Sequence, residues 1–93
     1  MAFGMILEWD RDFSPESYAE ASQQLGTEDR LADGCLSHAV GLLEDGAARV
    51  VEVWESPKHA QPFNAASAAV LAAVGFPPPA RVTTFATLRF ATA

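Results

Sequence analysis

One cysteine, six cationic side chains and no long uninterrupted apolar run set the first limits on this chain. Cys35 alone cannot form an internal disulfide, and neither CxxC nor a Cys/His metal spacing occurs, so nothing indicates an oxidising compartment or a structural zinc. The six Lys and Arg are scattered against twelve Asp and Glu, for a formal charge of −6. That balance repels phosphate backbones, so nucleic acid is not expected as a partner. The stretch from 65 to 79 is the longest of low polarity, but Ser67, Gly75 and three prolines break it, and it is too short to span a bilayer. The first ten residues carry no basic group before Glu8 and Asp10 and do not read as a signal peptide. Phosphate-binding loops, nucleophile elbows and dinucleotide fingerprints are also missing. The expectation is a soluble, cytoplasmic protein with no membrane partner.

What is present is a globular composition: 93 residues, 49% apolar and 19% charged, with six Gly and six Pro. This length fits one domain over residues 1–93 and leaves no room for a second core. So small a domain buries only about two thirds of the surface its unfolded chain exposes, which favours self-association.

Phe3, Met5, Leu7 and Trp9 alternate with Gly4, Ile6, Glu8 and Asp10, a period of two that predicts a first strand. Ser14-Pro15 then gives an N-cap followed by proline at the first helical position, with Glu16 in the first turn. Tyr18, Ala21 and Leu25 recur at helical spacing up to Gly26, predicting a helix over 15–25. The polar segment 27–34 reads as a surface loop. Two β-prone runs, 35–43 and 47–55, flank Glu44-Asp45-Gly46, which signals an antiparallel hairpin. Ser56-Pro57 repeats the cap-then-proline signature, but Pro62 would remove the bond to the Lys58 carbonyl. The expectation is a short turn over 57–60 and a main helix from about 62, with Phe63, Ala66, Val70 and Val74 as its apolar stripe. Gly75 and Pro77-Pro78-Pro79 end it, and the alternation from Val82 to Phe90 predicts the fourth strand.

The order βαββαβ, with right-handed crossovers and a central hairpin, predicts an α+β, ferredoxin-like plait: a four-stranded antiparallel sheet with two helices on one face. Strand three is apolar on both parities, and Phe85 is opposite in parity to Leu88 and Phe90. The face without helices therefore needs a partner, which a second sheet packed against it supplies.

In that order, Gly34-Cys-Leu-Ser-His38, Val50-Val-Glu-Val-Trp-Glu-Ser-Pro57, Phe63, Gly75 and Pro77 resemble the antibiotic biosynthesis monooxygenase-like family of the dimeric α/β barrel superfamily. The resemblance covers most of the chain from residue 34 onward. It implies a homodimer whose two sheets form a barrel, with a pocket in each subunit between sheet and helices. Known activities of the family include cofactor-independent oxygenation of polycyclic phenols and anthrones, heme degradation and lactone isomerisation. The heme-degrading branch uses a histidine on the second helix; here that region is Phe63-Asn-Ala-Ala-Ser67, so heme is not expected, nor any other cofactor or metal.

Trp54 matches a tryptophan that in active members sits against the substrate; its other reading, the favoured one, is a core or pocket-wall residue that fixes the sheet to the second helix. Glu52 shares its parity and is either a base or a buried, hydrogen-bonded acid. His38 stands among Leu36, Val40 and Leu42 as a general base or a satisfied core or interface histidine. A hairpin loop of two or four residues places His38 on the face opposite Trp54, and an odd loop reverses this. Phe63, Asn64, Tyr18 and Trp9 are candidate substrate contacts, Asn64 having a capping or solvated role as its alternative, and His59 reads as a surface residue. Two functions stay open: a cofactor-independent monooxygenase acting on a planar, polyketide-like aromatic, and a noncatalytic dimeric module that binds a hydrophobic metabolite or a partner protein.

Overall fold

The computed structural model describes residues 2–88. Its elements run β1 (Ala2–Trp9), α1 (Pro15–Leu25), β2 (Cys35–Leu42), β3 (Ala48–Trp54), α2 (Pro57–Ala73) and β4 (Arg81–Thr87). The strands lie in the order β2-β3-β1-β4, and every neighbouring pair is antiparallel. This is the ferredoxin-like plait that the element order implies. Arg89 and Phe90, placed in the fourth strand by their alternation, lie outside the described residues.

Three of the four helix ends carry a capping motif; at the start of α2, Ser56 makes no side-chain cap bond and its hydroxyl pairs with His59 Nδ1. Ser14 caps α1 by accepting the Ser17 N–H at 3.2 Å, with Pro15 in the first turn. Both C-termini close as Schellman motifs, which satisfy carbonyls the helix leaves open. At α1, Gly26 (φ 73°) bonds Gln23 and Thr27 bonds Ser22; at α2, Gly75 (φ 76°) bonds Ala72 and Phe76 bonds Leu71. The second motif folds Phe76 back into the core beside Leu71.

Side-chain alternation divides the sheet into two faces. Met5, Trp9, Ala48, Val50, Glu52 and Trp54 point toward the helices and are buried. They seed two clusters. Trp9, Phe13, Ala48, Val50 and Phe76 form one, whose rings meet edge to face at 5.1–5.7 Å; such pairs are worth about 0.5–1.5 kcal/mol beyond area burial. Met5, Trp54 and Ala60 form the other, with Phe3, Cys35 and Phe63 packed around them. On the opposite face, Val51 and Phe85 are each 38% exposed, and no described helix covers them. Phe85 pairs across from Gly4, and its ring occupies the space a side chain at Gly4 would need.

Two local features set which face each residue of β2 occupies. The last pair of the hairpin is Leu42 with Ala48, leaving five loop residues, with Asp45 (φ 59°) and Gly46 (φ 76°) in left-handed conformations. The odd count puts His38 opposite Glu52, on the helix side of the sheet with Trp54. A bulge between Cys35 and Ser37 then reverses parity, so that Cys35 pairs with Trp54 and also turns toward the helices.

The second helix departs from expectation. It is continuous from Pro57 to Ala73 with Pro62 inside it, and the apolar side runs through Ala60, Phe63, Leu71 and Val74, while Ala66 is exposed. Ala60 and Phe63 straddle the proline and both pack on the Trp54 cluster, so only an unbroken helix keeps them in phase. Lys58, Gln61 and Pro62 are exposed, and water can satisfy the carbonyl that lost its partner. Pro62→Ala restores one helical bond and should stabilise the protein by about 1–3 kcal/mol, read as a raised denaturant midpoint at unchanged slope.

Candidate functional site

Between the helix side of β2 and β3, the two helices and the loop 27–34 lies a cavity of about 280 Å³. Tyr18 and Leu25 from α1, Cys35 and His38 from β2, Trp54 from β3, and Phe63 and Leu71 from α2 line it, and residues 27–32 form its rim. An engineered cavity of about 150 Å³ holds benzene. The space here is nearly twice that and opens to solvent, which suits a ligand of two or three fused rings.

The polar groups form one line. Trp54, fully buried, donates its Nε1–H to Glu52 Oε1 at 3.0 Å; the two residues are two apart on β3 and therefore share a face. Glu52 is 4% exposed and is the one buried charged residue among those described. Its Oε2 lies 3.7 Å from His38 Nε2, directly across the strand pair. The same nitrogen is 3.1 Å from the Tyr18 hydroxyl, with the two rings within 4° of parallel. Burial, reinforced by the Glu52 carboxylate, pushes the Tyr18 hydroxyl well above the ordinary phenol range, so it stays protonated. Burial likewise pushes the Cys35 thiol up, and its Sγ sits 3.4 Å from the Ser37 carbonyl. It is a free, protonated thiol in the wall and not a poised nucleophile.

The arrangement can hold an aromatic against Phe63, whose ring packs on Trp54 with centroids 5.5 Å apart, and can pass a proton between Tyr18 and His38 with the Glu52 charge close by. Of the candidate residues, His38, Trp54, Phe63 and Tyr18 line the cavity, and Glu52 lies behind its wall against Trp54 and His38. Trp9 and Asn64 do not line the cavity. Trp9 belongs to the other cluster, with its Nε1–H given to the Pro77 carbonyl at 2.9 Å, and Asn64 Nδ2 points to Met5 Sδ at 3.2 Å. His59 bonds Ser56 Oγ at 2.8 Å near the surface and packs over Gly34. Among the described residues no three His, Cys, Asp or Glu side chains converge as a metal-ligand set. Cys35 and Leu71 are lining residues the sequence did not single out; the bulge that turns Cys35 inward has no signature in composition or period.

Tyr18 is the single tyrosine, so alkaline absorbance reads its ionisation alone. In the unfolded chain it releases its proton near pH 10.0, while the native state holds it to higher pH. Stability should therefore fall as pH rises above 10, with no tyrosinate signal until the protein unfolds, and Tyr18→Phe should remove that contribution. A folded protein that titrates normally near pH 10 would contradict the buried setting.

No protein-family model matches the chain, and no curated protein matches it in sequence. Solved structures do match over nearly full length. A Chloroflexus aurantiacus protein named for antibiotic biosynthesis monooxygenases superposes with a TM-score of 0.69 at 16% identity, covering 99% of this chain and 98% of that one. Rv0793 from Mycobacterium tuberculosis gives 0.66 at 21%, covering 99% and 100%. A Deinococcus radiodurans protein, also named for antibiotic biosynthesis monooxygenases, gives 0.59 at 16%, covering 100% and 98%. The described helices include none long and apolar enough to cross a membrane. The whole chain thus has the fold of proteins named for antibiotic biosynthesis monooxygenase.

Proposed function

We propose that this chain is an antibiotic biosynthesis monooxygenase-like protein that oxidises a planar hydroxylated aromatic with dioxygen, using neither metal nor flavin. The observation that carries the reading is the Tyr18–His38 hydrogen bond at the edge of a cavity lined by Trp54 and Phe63, with the buried Glu52 carboxylate 3.7 Å from the imidazole. The substrate plane lies against Phe63, which Trp54 backs, and its acidic proton ends on His38. The imidazolium formed is offset by the Glu52 carboxylate, which Trp54 holds in place. The deprotonated substrate is electron-rich enough to reduce dioxygen. At an activated ring CH₂, one oxygen atom becomes the new carbonyl and the other leaves as water with both hydrogens.

The same proposal includes a cytoplasmic homodimer in which two uncovered sheet faces pack together. Its support is the half-exposed Val51 and Phe85 beside Ile6 and Val53, and a charged end where Glu8 bridges Arg49 at 2.8 Å and Arg81 at 3.2 Å. Light scattering at micromolar concentration should give twice the chain mass, and Phe85→Glu should lower it toward the monomer. A wild-type monomer would contradict this assembly.

A second reading, a noncatalytic dimeric module for a hydrophobic metabolite or a partner protein, is favoured by one observation: Glu52 and Trp54 already satisfy each other within the wall. Oxygen uptake separates the two. With an anthrone or a polycyclic phenol the wild type should consume dioxygen, and His38→Ala and Glu52→Gln should each lower the rate by about 10²- to 10⁴-fold. Saturable quenching of tryptophan fluorescence without turnover would establish the module instead.

A further inference from the structure

The basic nitrogen of His38 is already occupied. Tyr18 Oη stands 3.1 Å from Nε2, and Glu52 Oε2 lies on the same nitrogen at 3.7 Å, too far for a hydrogen bond. A ligand in the cavity therefore meets Tyr18 before it can meet that lone pair. His38 Nε2 is the one partner of the Tyr18 hydroxyl among the described residues. Were Nε2–H the donor, that nitrogen would have no lone pair to take a proton, so a proton relay uses the tautomer in which Tyr18 donates. With Tyr18 donating, Nε2 is the acceptor and His38 carries its proton on Nδ1. A donating hydroxyl still has lone pairs free to accept a second hydrogen bond.

Resting on the cavity reading above, we propose that Tyr18 is the catalytic residue that contacts the substrate hydroxyl and relays its proton to His38, with Glu52 beside the same imidazole nitrogen to offset the charge. In one concerted step the substrate O–H breaks as its proton passes to Tyr18 Oη, while the Tyr18 proton passes to Nε2. The products are a substrate oxyanion, an unchanged phenol and an imidazolium 3.7 Å from the Glu52 carboxylate. The net change is one proton moved and no electron. Tyr18 is held for this by packing against Phe13 at 5.2 Å and Phe76 at 6.1 Å, which fixes the ring in the cavity wall beside His38. Its high affinity for its own proton suits a relay that never rests as tyrosinate.

The test uses 2-naphthol, a hydroxylated bicyclic aromatic whose anion absorbs at longer wavelength than the neutral form, and needs no oxygen chemistry. The wild type should bind it and display the naphtholate band at a pH where free naphthol is neutral. Tyr18→Phe should bind it within about threefold of wild type yet lose the band by about tenfold or more, and His38→Gln should lose it as well. A Tyr18→Phe protein that keeps the band would show that His38 acts directly, and would overturn the relay while leaving the oxygenase reading intact. Wild type that binds naphthol only as the neutral form also overturns the relay, and wild type that does not bind it overturns the relay and the cavity reading together. Ionised naphthol without dioxygen uptake from an anthrone would support the relay and remove the oxygenase reading. The nitrogen-15 shifts of His38 in the wild type provide a check independent of any variant: the expected pattern has unprotonated Nε2, and a neutral ring protonated at Nε2 overturns the proposal.

Discussion

A carboxylate taken out of water constrains much of this small protein. Glu52 lies near the middle of β3 at 4% exposure, where an unpaired charge costs several kcal/mol. Two neighbours offset that cost, and both depend on sheet geometry: Trp54, two residues on, gives Oε1 its indole N–H, and His38, directly across the strand pair, faces Oε2. The burial of Trp54 requires in turn that α2 stay unbroken past Pro62, so that Ala60 and Phe63 can cover it. Removing any of these parts exposes the acid or strands it.

The two clusters on the helix side divide the labour. Around Trp9, Phe13 and Phe76 the rings close on one another and leave no polar atom without a role, the Trp9 N–H going to the Pro77 carbonyl. Around Trp54 packing is looser and a cavity remains, walled by Phe63 and the Tyr18–His38 pair. One end of the sheet thus carries stability and the other carries a space for a ligand. Tyr18 joins the two, since its ring packs on Phe13 and Phe76 while its hydroxyl reaches His38.

Several elements were readable from local chemistry. Ser14-Pro15 and Gly26 bound α1 because capping and left-handed termination depend on single residue types. Alternation in β1 named its core side, Met5 and Trp9, because a strand sends successive side chains to opposite faces. Pro62 misled because local propensity counts the lost bond but not the burial on either side of it. Phe13 and Phe76, both buried, sit just outside regular elements, where no period marks them.

For the site, the sequence by itself determined that Glu52 and Trp54 share a face, since residues two apart on a regular strand point the same way. It also determined the presence of one tyrosine and one histidine of suitable chemistry in the first half of the chain, and the βαββαβ order that lays two helices on one side of a sheet. Only the tertiary structure decided that His38 joins them. Its face hangs on the length of the hairpin loop, five residues and not four, and a change of one reverses every side chain on β2. The bulge beside Cys35 and the approach of Tyr18 from α1 are of the same kind, because pairing register and helix packing are settled by contacts between residues far apart in the chain.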